Sequence, residues 1–94
     1  MCSILGTTSK ELTEEALRPF FDRTIARGPD MSRMVETPIG CLGFHRLAIM
    51  GLHPEGMQPF ELGGDLAVCN GEIYGFRQMK KDLQEKGYKF VSDS

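Results

Sequence analysis

What the sequence lacks narrows it first. No apolar run comes near the roughly 20 residues that cross a bilayer. The start, MCSILGTTSKE, carries no basic flank ahead of an apolar stretch and does not read as a secretion signal. An excess of one charge is missing too: 11 Lys and Arg stand against 13 Asp and Glu, for a net charge of -2. That balance offers no basic field for nucleic acid and no polybasic patch for a membrane surface. Cysteine is scarce and odd in number, at Cys2, Cys41 and Cys69, with no Cys-x-x-Cys pair. A disulfide framework is therefore not expected, and a reducing, cytoplasmic setting fits best. His45, His53 and the cysteines stand at no familiar ligand spacing, so no metal is expected. Repeats, low-complexity tracts and linkers are absent. The 94 residues make one small domain over 1–94, at the low end of the usual size.

The apolar pattern then predicts the elements. Ser3–Gly6 reads as a short, buried first strand. Thr13 followed by Glu14 and Glu15 has the character of a helix start, and Leu17, Phe20, Phe21 and Ile25 recur at helical spacing. Pro19 predicts either one kinked helix over 14–26 or a break. Arg27-Gly28-Pro29-Asp30 stops that element. Residues 31–39 read as loop with a short strand at Arg33–Glu36, and Cys41–Phe44 and Leu47–Ile49 as strands. Phe60–Leu62 and Leu66–Cys69 flank a hairpin turn at Gly63-Gly64-Asp65. A strand at Glu72–Tyr74 is followed by a helix from Phe76 to about Lys86 that Gly87 stops, and Tyr88–Val91 begins another strand.

Three features carry chemistry, each with a plainer rival. Loss of Met1 would give Cys2 a free α-amino group beside its own thiol. An α-amine titrates near ~7.7–8.0, so it can serve as a base for a thiol that is mostly protonated near pH 7. The rival is a cysteine buried by chance in the first strand. Asn70-Gly71 offers a side-chain amide and a main-chain N–H, two donors for a developing oxyanion. The rival is an ordinary tight turn between strands. Arg46 interrupts an apolar run and could hold a carboxylate in a bidentate fork. Its rival is an arginine at a strand end reaching solvent.

Taken in order, Met1-Cys2-Ser3-Ile4-Leu5-Gly6, Arg27-Gly28-Pro29-Asp30, His45-Arg46-Leu47-Ala48-Ile49, Gly56-Met57-Gln58-Pro59 and Asn70-Gly71-Glu72-Ile73-Tyr74 form a specific series over nearly the whole chain. On these motifs the chain resembles the N-terminal-nucleophile (class II) glutamine amidotransferases, and among them the asparagine synthetases. The resemblance implies an α+β fold, a four-layer αββα sandwich of which these residues supply the front half. It implies that Cys2 attacks the side-chain amide of glutamine and that Asn70 and the Gly71 N–H form the oxyanion hole. Arg46 would pair with the glutamine α-carboxylate, while Ile49, Met50 and the Asn70–Glu72 segment, with Gly71 and Glu72, line the pocket.

The glutaminase half-reaction so implied needs no cofactor. ATP and Mg belong to a separate synthetase domain, absent here, that receives the ammonia and makes an amide from aspartate. Glutamine and that domain are the implied partners, with no nucleic acid, no membrane, and a homodimer open to the full-length protein. The acidic residue that grips the substrate's amino group would follow Ser94, with Asp93 one position out of register. On that ground the 94 residues alone are expected to be inactive. Two positions depart from the usual family pattern: Ala26, where relatives often carry His, and Gly75, where Asn is frequent. Two other readings stand beside this one: an amidotransferase of amidophosphoribosyltransferase or hexosamine synthase type, and an inactive fragment acting as a binding module.

Overall fold

In the computed structural model, residues 2–49 and 53–92 are described. The expected loss of Met1, the pocket position Met50 and the alternative carboxylate Asp93 lie outside the described residues.

Strand β1 runs Ser3–Thr7, helix α1 Glu14–Phe21, β2 Met31–Thr37 and β3 Gly40–Arg46. A hairpin of β4, Phe60–Leu62, and β5, Asp65–Ala67, precedes helix α2, Phe76–Glu85. The first three strands form an antiparallel sheet in the order β1-β3-β2, with Ser3 opposite His45 and Ser32 opposite the same histidine. The fold is thus mixed, with helices and antiparallel sheets.

Helix α1 starts as its cap predicts. The Thr13 side chain accepts the Ala16 N–H at 3.2 Å, satisfying one of the donors that a helix start leaves unpaired. The helix runs through Pro19, which lacks the N–H for the Glu15 carbonyl, and becomes a 3₁₀ helix over Asp22–Arg27. One face of α1 buries Leu17 and Phe21 against Met34 of β2 and Cys41 of β3, with Leu5 of β1 alongside. Burying side chains of this size stabilises by about 1.5–3 kcal/mol each. Phe21 also stacks on His45, ring centroids 3.7 Å apart, so the aromatic pair joins helix to central strand.

Being central, β3 is buried at every position but half-buried Leu42, whereas β1 and β2 each leave residues exposed. That corrects the reading of a buried first strand: Ile4 lies on the open side at 49% exposure. It also explains the unexpected length of β2. Strand β2 lies at the sheet edge and buries only Met34, so exposed Ser32, Arg33 and Glu36 are accommodated on both of its faces and apolar alternation is not needed to make it.

Other expectations are corrected as well. Leu47–Ile49, Glu72–Tyr74 and Tyr88–Val91 are not strands. Tyr88–Val91 instead returns along α2, where Lys80 Nζ donates to Ser92 O at 2.9 Å and stands over the Phe90 ring. The hairpin turn is Gly63-Gly64 alone, both at positive φ, as a tight two-residue turn demands, and Asp65 already belongs to β5. Gly75 takes a left-handed φ of 75° just before α2, a conformation that Asn also tolerates, which accounts for either residue there. Lys86 caps α2 and Gly87 follows at positive φ, as expected.

Candidate functional site

Antiparallel pairing of β1 with β3 puts the residue before Ser3 beside the residues after Arg46. Cys2 lies there. Its Sγ accepts the Leu47 N–H at 3.2 Å and stands 3.7 Å from the Leu47 carbonyl oxygen, so one residue's main chain holds the sulfur on both sides. The Cys2 carbonyl oxygen receives Asn70 Nδ2 at 2.9 Å and Arg27 Nε at 3.4 Å. Cys2 and Asn70, 68 residues apart in sequence, are therefore neighbours. A carboxamide nitrogen carries two N–H donors, so the contact with Cys2 leaves a second to be aimed elsewhere.

The Arg27-Gly28-Pro29-Asp30 turn braces this corner. Gly28 presses on the β3 backbone so closely that a Cβ there would fall 2.2 Å from the His45 carbonyl oxygen. Asp30 donates its N–H to Arg46 O at 2.9 Å, and its carboxylate accepts the Ala48 N–H at 2.8 Å. With Leu47 N–H given to Cys2 and Ala48 N–H to Asp30, the chain beyond Arg46 is held by side chains and not by a ladder. This is why the apolar run Leu47–Ile49 does not continue β3.

Arg46 is 4% exposed, which overturns the reading of an arginine reaching solvent. Its Nη1 donates to His53 O at 2.9 Å and lies 3.9 Å from the Met31 sulfur. The neighbouring His45 is fully buried and structural. Its Nε2 donates to Phe21 O at 2.9 Å, and in the neutral ring Nδ1 accepts the Ser32 hydroxyl at 2.6 Å.

Among the described residues no strand follows Asn70-Gly71, so it is not a turn between strands; both residues are exposed. Gly71 stands next to Asn70 in the chain. Ile49 is 71% exposed, and Glu72 is exposed and makes no hydrogen bond or ion pair among the described residues. The structure thus gathers Cys2 with Asn70 and sets Arg46 at the same end of β3, while Ile49 and Glu72 stand exposed on the segments that carry Leu47 and Asn70 to Cys2.

Of the remaining cysteines, Cys41 is buried in the core and Cys69 is exposed. Burial pushes the Cys41 thiol up, with Glu36 and Glu14 adding to the shift and Arg18 opposing it. Among the described residues, no three His, Cys, Asp or Glu gather to hold a metal ion, and no helix is long and apolar enough to cross a membrane. The groove lined by Thr13, Glu14, Arg18, Pro19 and Glu36 shares no residue with the Cys2 corner. The contacts of Arg27, Asp30 and Gln58 had no role in the sequence reading; their only signal was membership in recurring motifs.

A family model described as a glutamine amidotransferase domain matches residues 1–94. The amidase chry2 of Gibberella zeae is 38% identical over 96 residues, covering 97% of this chain and 14% of the relative. The glutamine-hydrolyzing asparagine synthetase 2 of Bacillus subtilis is 33% identical over 102 residues, covering 99% of this chain and 13% of the relative. Asparagine synthetase 1 of the same organism is 29% identical, and the chain spans 16% of its length. No solved structure matches.

Proposed function

The chain belongs to the glutamine amidotransferase domain family, and from that membership we propose that Cys2 is the nucleophile of a glutamine hydrolysis whose ammonia serves asparagine synthesis. The observation that carries the reading is the approach of Asn70 to Cys2.

In the proposed course, loss of Met1 frees the Cys2 α-amine. That amine takes the thiol proton as Sγ attacks the side-chain carbonyl carbon of glutamine. The carbonyl oxygen becomes an oxyanion, met by the free N–H of the Asn70 carboxamide and the Gly71 N–H. Donors already fixed by the protein cost no reorganisation as the charge forms. The C–N bond then breaks, the α-amine returns the proton to the leaving nitrogen, and ammonia departs. Water attacks the thioester, giving glutamate and restoring the thiol. Arg46, buried at the same end of β3, holds the substrate α-carboxylate. Glu72, Ile49 and Met50 are proposed to line the remaining wall.

The fate of the ammonia rests on the asparagine synthetases, whose names state glutamine hydrolysis. This chain spans only a small share of their length, so the ATP- and Mg-using synthesis of an amide from aspartate is assigned to sequence beyond it. No residue here is assigned to ATP or Mg. We read the three-stranded sheet, with α1 on one face, as part of the four-layer sandwich. The name of the amidase relative agrees with the shared chemistry, cleavage of an amide, and leaves the acceptor to the synthetases.

The test is glutamate release from glutamine by the full-length natural protein. Cys2→Ala should abolish it while leaving ammonia-dependent asparagine formation largely intact, because ammonia enters after the thiol chemistry. Undiminished release by Cys2→Ala would refute the assignment.

A further inference from the structure

Gln58 makes an unusual pair of hydrogen bonds. Its Oε1 accepts the Cys69 N–H at 2.6 Å, and its Nε2 donates to Cys69 O at 3.1 Å. The place of this pair in the hairpin explains its form. Pairing between β4 and β5 runs from Leu62↔Asp65 to Phe60↔Ala67 and stops. Two residues further along each strand, the same register sets position 58 opposite position 69. There the Gln58 side chain, whose amide offers one acceptor and one donor as a peptide group does, makes both bonds that a ladder would have made. The ladder is thus extended by one rung at the point where the β5 chain turns towards Cys2.

That rung holds the residue directly before Asn70. From Val68 to Ile73 the chain has no strand or helix of its own, and Cys69 and Asn70 are exposed, so among the described residues the bonds to Gln58 and Cys2 are what fix it. Gln58 has a firm base, because Gly56, Met57 and Pro59 around it are buried. A continuous relay of contacts results, from Gln58 through the Cys69 main chain to Asn70 and on to Cys2.

We infer that Gln58 is a positioning residue that sets the Asn70 carboxamide against Cys2. Its catalytic consequence rests on the glutaminase reading given above; its structural consequence does not. Gln58 touches no substrate in this account and acts only through residue 69. Removing it lets the Asn70 donor wander, and a misplacement of about 1 Å can lower a rate by roughly 10²-fold.

The experiment uses the full-length natural protein with Gln58→Leu, which loses both bonds, and Gln58→Glu, which keeps the acceptor but turns a carboxylate oxygen to Cys69 O. Amide hydrogen exchange is read over residues 66–71, with β3 as internal control, beside kcat and KM for glutamine. The expected result is faster exchange at Cys69 with β3 unchanged, kcat lowered about 10–10²-fold, and KM changed by less than about threefold, since the α-carboxylate grip is elsewhere. In an Asn70→Ala background the same substitutions should cost almost nothing more, because residues acting as a unit are not additive. Unchanged exchange at Cys69 in both variants overturns the inference, as does a full, additive kcat loss when Asn70 is already gone. If the natural protein releases no glutamate, the glutaminase reading falls on its own, and exchange at Cys69 still decides whether Gln58 positions the segment. Should Gln58→Leu not fold, Gln58→Glu carries the same readings.

Discussion

Asn70 reaches back over 68 residues of chain to place its Nδ2 2.9 Å from the carbonyl oxygen of Cys2. Only nitrogen can donate to that carbonyl, so the contact fixes which way the carboxamide faces. One N–H is engaged with Cys2 and the other is free for a developing charge. Asn70→Ala should therefore lower kcat for glutamine hydrolysis by about 10²–10³, equivalent to ~2.7–4 kcal/mol, with KM little changed. Steady-state kinetics check this, and a change in KM alone would make Asn70 a substrate contact and not an oxyanion donor.

Arg46 should govern the other half of the split. Its guanidinium is buried and donates to His53 O, so it is held in one orientation. Arg46→Lys replaces a planar fork by a point charge and should raise KM for glutamine while changing kcat less. An unaltered KM would remove Arg46 from the carboxylate grip.

Gly28→Ala should destabilise the fold through the backbone. The added Cβ would meet His45 O at 2.2 Å and Arg46 N at 2.7 Å, neither of which can swing aside as a side chain could. The expected loss is about 1–3 kcal/mol or more, read from the denaturant midpoint. Because Arg27 and Asp30 flank the same turn, the contacts with Cys2 and Ala48 should loosen too.

Cys41 predicts an alkaline weakness. Burial, reinforced by Glu36 and Glu14, raises its thiol above the ordinary range. As pH climbs past about 8.5, the unfolded thiol gives up a proton that the folded one keeps, so stability falls with rising pH. Below that range the thiol is protonated in both states and contributes no slope. Denaturation curves from pH 8 to 10 should show a decline that is smaller in Cys41→Ala. An identical decline in both proteins would assign it to other groups.

Local signals made part of this fold legible. Thr13 with the spacing of Leu17 and Phe21 located α1, Gly87 closed α2, and Gly63-Gly64 marked the hairpin. What failed were short apolar runs. Leu47–Ile49 looks like a strand, yet Cys2 and Asp30 take the N–H groups of Leu47 and Ala48, a competition set by distant chain. Strand β2 runs longer than its apolar pattern predicts because this edge strand buries Met34 alone and carries exposed polar residues on both faces. At the candidate site, the motifs in order single out Cys2, Asn70 and Arg46, since each alone has a plainer reading. Gln58 and Asp30 lay inside those motifs, but their hydrogen bonds join residues 11 and 18 positions apart, which no local pattern encodes.

The central claim is that Cys2 alone is the activated nucleophile, working beside its own α-amine. The direct measurement is mass spectrometry of the full-length natural protein after exposure to an electrophilic glutamine analogue, with peptide mapping of the adduct. The account predicts that Met1 is absent and that a single adduct sits on Cys2, with buried Cys41 and exposed Cys69 unmodified. An adduct carried by Cys69 in place of Cys2, or Met1 retained in protein that still releases glutamate, would contradict it.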